Sequence, residues 1–242
     1  MKSNKMTGIP VSWKWDLEHY RQRYDWDCGL SCILMILPTA KRHFFLDCFT
    51  QVCAEEGFGT STWTIDLCYV LKRFEIQHKY LTSTMGINTG YTEHSYYDKI
   101  LHKDSVRVEK RFRQAQSLGI TVQQKQINSD ALLRHLALEG PAICLTNASL
   151  LTCDLCKANK LSTELRSCLP WKVTFKGHYV VVCGYIVSLR KLFYRNPAMR
   201  DHLCMTSFTN FNEARHSYGT DDDIILIYTQ PGSSGSSSDT AV

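Results

Sequence analysis

Gln22-Arg23-Tyr24-Asp25-Trp26-Asp27-Cys28-Gly29-Leu30-Ser31-Cys32 is the stretch from which the fold is read. Beyond Gly29, the residues Leu30, Ile33, Leu34 and Leu37 are apolar at i, i+3, i+4 and i+7, the spacing of one buried helix face. Cys28 therefore opens a helix, with Asp27 as its cap. A thiol there meets the positive end of the peptide dipoles, which favours the thiolate, the form that attacks carbonyl carbon. Gln22 lies upstream, where its side-chain amide can point at the same place. A cysteine at a helix start behind a donor amide is how a thiol hydrolase is built. The competing reading is a buried core cysteine.

A histidine partner comes from far along the chain. Gly177-His178-Tyr179-Val180-Val181-Val182-Cys183-Gly184-Tyr185 is a β-branched run bounded by glycines, hence a strand, and His178 stands at its start. Ile186 to Lys191 makes a turn, and Leu192-Phe193-Tyr194-Arg195 returns to Asn196-Pro197. In a hairpin of this length Asn196 comes back beside His178. Its oxygen can then hold one imidazole nitrogen and leave the other for the thiol. Asn before Pro also starts ordinary turns, so the reading rests on Cys28, His178 and Asn196 together.

Gln22 with Asp27-Cys28-Gly29 and Cys32, then Gly177-His178-Tyr179-Val180-Val181-Val182 and Asn196-Pro197, resemble the papain-like peptidase domains that trim leader peptides in bacteriocin exporters. The resemblance implies Cys28, His178 and Asn196 as a triad, with Gln22 as the oxyanion donor. Those domains usually carry Asp where this chain has Asn196. A resemblance of wider extent rests on Tyr24-Asp25-Trp26-Asp27-Cys28-Gly29-Leu30, Trp63-Thr64-Ile65-Asp66-Leu67, Cys153-Asp154-Leu155-Cys156, Glu213-Ala214-Arg215 and Ser217-Tyr218-Gly219-Thr220-Asp221. These are similar to the eukaryotic family named guanylyl cyclase domain-containing protein, and that name implies cyclisation of GTP.

Cyclisation is metal-assisted chemistry, in which two carboxylates usually hold the ions that activate the 3′-hydroxyl and bind the phosphates. The chain has no P-loop and no Gly-rich phosphate loop after a strand. Its acidic cluster Asp221-Asp222-Asp223 precedes the strand Ile224 to Tyr228, a place where such residues usually form a solvated turn. The residues thus favour an intracellular thiol hydrolase acting on a peptide or amide. Guanylyl cyclase is the alternative, and a catalytically inactive binding protein the second.

The order of elements is helix-rich first and strand-rich last: helices at Cys28, His43–Glu56, Thr62 onward, Asp104–Leu118 and Ser129–Leu138, then strands about Ala142, His178 and Ile224. This predicts an α+β, papain-like fold with N-terminal helices on a mostly antiparallel sheet. One domain spans 16–230, between a flexible 1–15 and a disordered 231–242, with insertions at 85–102 and 147–176. Such a domain is consistent with 242 residues, 44% of them hydrophobic.

A net charge of +5, without a long basic run, argues against nucleic acid. No apolar stretch reaches the length of a membrane span, and the start lacks a secretory signal. Eleven cysteines without an export signal point to free thiols in the cytoplasm or nucleus. Cys153-x-x-Cys156 with Cys168 has zinc-like spacing, but a fourth ligand is not evident, so no metal and no cofactor are expected. The terminal Thr240-Ala241-Val242 fits strand addition to a PDZ groove.

Overall fold

The computed structural model of the protein describes residues 8–59, 61–88, 95–159, 174–229 and 235–236. Its centre is strand β5 (Gly177–Ile186), the longest strand, nearly every residue of which is buried. An unbroken β-branched run of this kind suits a strand covered on both faces. The strand β4 (Ala142–Asn147) pairs with its first half and β1 (Ser12–Trp15) with its second. The strand β6 (Lys191–Arg195) takes the other edge and passes to β7 (Cys204–Ser207). Beyond β4 follow β8 (Ile224–Ile227), β2 (His78–Thr82) and β3 (Thr121–Gln124), and the short β9 (Gly235–Ser236) adds to β1. All pairings described are antiparallel except β2 with β3.

Strand alternation explains how helices cover both faces. Tyr179, Val181, Ile143 and Ile225 bury with α1 (Cys28–Ile36) and α4 (Thr64–Arg73). Their neighbours Val180, Val182, Cys144 and Ile224 bury on the other face with α6 (Ser129–Leu138) and α7 (Phe208–Arg215). The result is a mixed α+β protein with one sheet between two helical layers.

Several expectations need correction. The helix expected over 43–56 is two, α2 (Thr39–Asp47) and α3 (Phe49–Glu55), broken at Cys48. The loop expected over 85–102 ends early, because α5 (Ser95–Ala115) begins inside it. Arg107 and Arg111 on α5 do not face outward: they turn in to the fully buried Asp66 at 3.0 and 2.5 Å. Ser12–Trp15, expected to be flexible, forms β1 because Trp15 is buried and donates its Nε1–H to Leu136 O at 2.7 Å. Thr240 to Val242 and Cys168 lie outside the described residues, as do residues 1–7 and 89–94. Among the described residues no helix is long and apolar enough to cross a membrane.

Candidate active site

Cys28 is the first residue of α1, as the spacing predicts, and is buried. Asp27 precedes it but makes no side-chain cap. Its carboxylate instead accepts the backbone N–H groups of Arg23 and Tyr24 at 3.1 and 3.0 Å, bracing the loop that leads into the helix. Gly29 follows because nothing larger fits: a Cβ there would stand 2.8 Å from the Leu67 methyls and 3.1 Å from the Tyr179 ring. That close approach brings α1 against β5, and the Cys28 sulfur accepts the backbone N–H of Tyr179. The thiol therefore sits against the peptide bond that follows His178.

The structure brings His178 and Asn196 together. His178 Nε2 lies 2.8 Å from Asn196 Oδ1, and Ala198 N–H also donates to that oxygen at 3.0 Å, fixing the amide's orientation. With Nε2 engaged, Nδ1 is the imidazole nitrogen left for chemistry. Gln22 behaves differently from the expectation. Its Nε2 donates to Tyr24 O at 2.7 Å, and its backbone N–H bonds Pro197 O at 2.9 Å. This glutamine ties the N-terminal segment to the Asn196-Pro197 turn rather than lining the cavity beside Cys28.

Electrostatics also correct the expected thiolate. Burial pushes the Cys28 thiol up to about 11, a cost that outweighs the pull of the Tyr179 and Gly29 amides, and Asp27 adds to the rise. Among the described cysteines, Cys153 is instead drawn below the ordinary thiol range, through a hydrogen bond from Cys204. Burial lowers His178, offset in part by Asn196, so its imidazole is neutral at physiological pH.

Cys28 opens onto a cavity of about 710 Å³, a volume in the range of small-molecule sites. Thr64, Tyr80, Tyr179, Asp221 and Asp223 line one side, and Arg23, Tyr24, Trp26 and Trp63 line another. The acidic turn is thus not a solvated one. Asp222 is buried and pairs with the buried guanidinium of Arg215. Asp223 Oδ2 accepts Thr64 Oγ1–H at 2.5 Å, and Thr64 Oγ1 also meets Tyr179 O–H at 2.8 Å. The other oxygen, Asp223 Oδ1, is buried and makes no well-aligned hydrogen bond among the described residues, although the hydroxyls of Thr82 and Tyr80 act on the same carboxylate. Burial raises Asp223 to about 7, the hydroxyls of Thr64 and Thr82 pulling partly against it. Asp221 Oδ1 accepts from Asn88 Nδ2 at 2.9 Å and from Thr84 Oγ1 at 3.0 Å.

Residues 17–227 match the sequence profile of the family described as Guanylylate cyclase. The chain belongs to that family. It is also 34% identical over 221 residues to the protein named Guanylyl cyclase 1 of Arabidopsis thaliana, a match that covers 91% of this chain and 78% of that one. The resemblance to the guanylyl cyclase family seen in the sequence thus holds, and the match spans both Cys28 and the acidic turn. What the sequence reading missed is the place of Asp223. The available signal was the step from three acidic residues straight into Ile224-Ile225-Leu226-Ile227, a strand too apolar to leave its first neighbour in water.

Proposed function

We propose that the protein is a nucleotide cyclase acting on GTP, as the names of its family and its Arabidopsis relative describe. The observation that carries this reading is a pair of carboxylates, Asp221 and Asp223, in one cavity of nucleotide size, with one oxygen of Asp223 buried and without a well-aligned donor among the described residues. A buried acceptor without a donor is costly and calls for an occupant. Hard carboxylate oxygens suit Mg²⁺ or Mn²⁺, so the residues fit the divalent ion such chemistry needs, with Asp221 and Asp223 to hold it. The ion would neutralise the triphosphate when bound. The chain's own groups supply the rest. Tyr24 and Trp26, stacked at 5.8 Å, offer a platform for the purine, and Arg23 at the rim offers a cation for phosphate. Asp223, raised to about 7, must ionise to hold the ion, so activity should rise toward neutral pH, while the 3′-hydroxyl proton passes to solvent water as that oxygen attacks the α-phosphorus and pyrophosphate leaves.

Purified protein incubated with GTP and Mg²⁺ or Mn²⁺ should form cyclic GMP, detected by mass spectrometry. Asp223→Asn should abolish the product, and Cys28→Ser should leave it. A folded chain that makes none would overturn the reading.

One observation favours a second reading, the thiol hydrolase: the 2.8 Å bond between His178 and Asn196, next to the peptide that holds the Cys28 sulfur. Its mechanism would take the proton of Cys28 to His178 Nδ1 as the sulfur attacks a peptide or amide carbonyl. That transfer forms the thiolate only in the reacting pair, which accords with a resting thiol near 11. A thiol-directed peptide electrophile that labels Cys28 in the wild type but not in His178→Ala would support it. Absence of labelling at Cys28 would sink it.

A further inference from the structure

Outside the cavity, the chain gathers Cys153, Cys156, His202 and Cys204, with one ligand atom from each and all four within 4.8 Å of one another. Spacing alone could not find this set. Cys153 and Cys156 lie in the segment after β4, whereas His202 and Cys204 lie at the head of β7. They meet because that segment docks along the β6–β7 hairpin. Tyr194 O–H donates to Thr152 O at 3.0 Å, Asp154 N–H to Met205 O at 2.7 Å, and Lys191 Nζ to Asp154 Oδ2 at 2.6 Å.

We infer that Cys153, Cys156, His202 and Cys204 form a structural zinc site. Zinc bound tetrahedrally, about 2.3 Å from sulfur and about 2.0 Å from nitrogen, sets its ligands about 3.5 to 3.8 Å apart. Cys204 Sγ and His202 Nε2 already stand 3.3 Å apart. Small movements therefore convert the cluster into a first shell. The ligand chemistry selects the ion: three soft thiolates and an imidazole suit zinc, whereas Mg²⁺ and Ca²⁺ require oxygen. Four protein ligands fill the tetrahedron and leave no place for a substrate, which makes the site structural rather than catalytic.

The surroundings are arranged for the same end. Cys156 N–H points at Cys153 Sγ from 3.4 Å, the kind of outer contact that steadies a metal-bound sulfur. Lys157 and Asn159, just past Cys156, hold left-handed φ values of 62° and 54°. Such values persist in L residues where the neighbourhood over-determines them. All described cysteines are free thiols, so no disulfide competes within the cluster. The ion would clamp the segment after β4 onto the β6–β7 connection, a few residues from Asn196 and its bond to His178. This inference does not rest on the cyclase reading.

The test is the metal content of the full chain, expressed with zinc and purified without chelators. Elemental analysis should find about one zinc per chain. The count should fall to near zero in Cys156→Ser and Cys204→Ser, and stay unchanged in Cys48→Ser, a thiol outside the cluster. Because a serine variant can fail to fold, the wild type should also be loaded with Co²⁺. It should show tetrahedral ligand-field bands and a thiolate-to-cobalt charge-transfer band. His202→Cys should keep the ion and strengthen the charge-transfer band by about a third, since a fourth thiolate joins three. A zinc-free wild type that takes up no cobalt would overturn the site, as would a metal count indifferent to Cys156 and Cys204.

Discussion

Two buried carboxylates meet the first turn of α4, Asp66 from within the helix and Asp223 from the turn before β8, and they are treated in opposite ways. Asp66, on the first turn of α4, is fully buried and faces two guanidinium groups, Arg107 at 3.0 Å and Arg111 at 2.5 Å, besides capping Trp63 N–H at 2.9 Å. Asp223 touches the first residue of the same helix, Thr64, and has hydroxyls but, among the described residues, no paired cation and no well-aligned donor to Oδ1. A buried charge needs opposite charge or donors to balance its lost hydration. Asp66 has both, so its role is to hold α5 onto α4. Asp223 lacks the cation, borders a cavity, and is raised to about 7 as a result. A bare oxygen alone does not mark a site, since Asp222 Oδ2 is likewise unpartnered beside Arg215; Asp223 differs in bordering the cavity with no described cation against it.

The sharpest way to break this contrast is Asp66→Ala. It strands two largely buried guanidinium groups, a loss of about 3 to 5 kcal/mol for a broken buried pair. The low end is expected, because Arg107 keeps Asp104 at 3.0 Å and Arg111 keeps Glu56 at 2.6 Å. Urea unfolding measures it. If the cost comes from stranded charge, Asp66→Leu combined with Arg107→Met and Arg111→Met should recover most of the stability. A triple variant no better than Asp66→Ala would show that the network is not what balances this carboxylate.

Asp223 should respond with the opposite sign. Its folded pKa is about 7 against 3.8 as the ordinary value, so the folded state keeps a proton that the unfolded chain has released. Below about 4 both states are protonated and nothing is lost. Stability then falls as pH rises from about 4 toward 7 and levels above it, by on the order of a few kcal/mol in all. Asp223→Asn, which cannot ionise, should remove the upper part of that slope, leave the part below about 6 that Asp222 contributes, and make the protein more stable at pH 8 while removing cyclic GMP formation. Unfolding midpoints across pH 4 to 8 decide it. An Asn variant as steep as the wild type would mean that Asp223 is not the group titrating.

The sequence made one of these regions legible and hid the other. His178 and Asn196 were readable because a strand, a short turn and a returning strand leave little freedom in register, and the structure pairs the two at 2.8 Å. The start of α1 at Cys28 was readable from its apolar spacing. The destination of a side chain across the fold was not. Asp27 offers cap chemistry, yet its oxygens are taken by Arg23 and Tyr24 amides, since the preceding loop folds back over the helix start. Cys28 has the position of an activated thiol, yet burial overrides the helix dipole. Asp223 reads as a polar turn because nothing local shows that Tyr80, Thr64 and Tyr179 close over it. Cys204 and His202 look unrelated to Cys153 until β6 and β7 carry them there. Local pattern specifies elements; long-range packing decides which polar groups are desolvated, and so which carry chemistry.

A finer test asks how much the hydroxyls around Asp223 hold it down. Thr64 Oγ1 donates to Oδ2 at 2.5 Å and favours the ionised carboxylate, the largest influence opposing burial. Thr64→Val keeps the shape of the side chain but removes that donor, and it also leaves the Tyr179 hydroxyl without its 2.8 Å neighbour. A hydrogen bond to a charged group contributes about 1.5 kcal/mol, close to one pKa unit. The acid limb of cyclic GMP formation should therefore move up by on the order of one pH unit, with the plateau at high pH nearly unchanged. A merely structural role for Thr64 would lower the plateau and leave the limb in place. An unshifted limb would mean that the group titrating in the cavity is not the one Thr64 touches, and the contrast between Asp66 and Asp223 would lose its functional half.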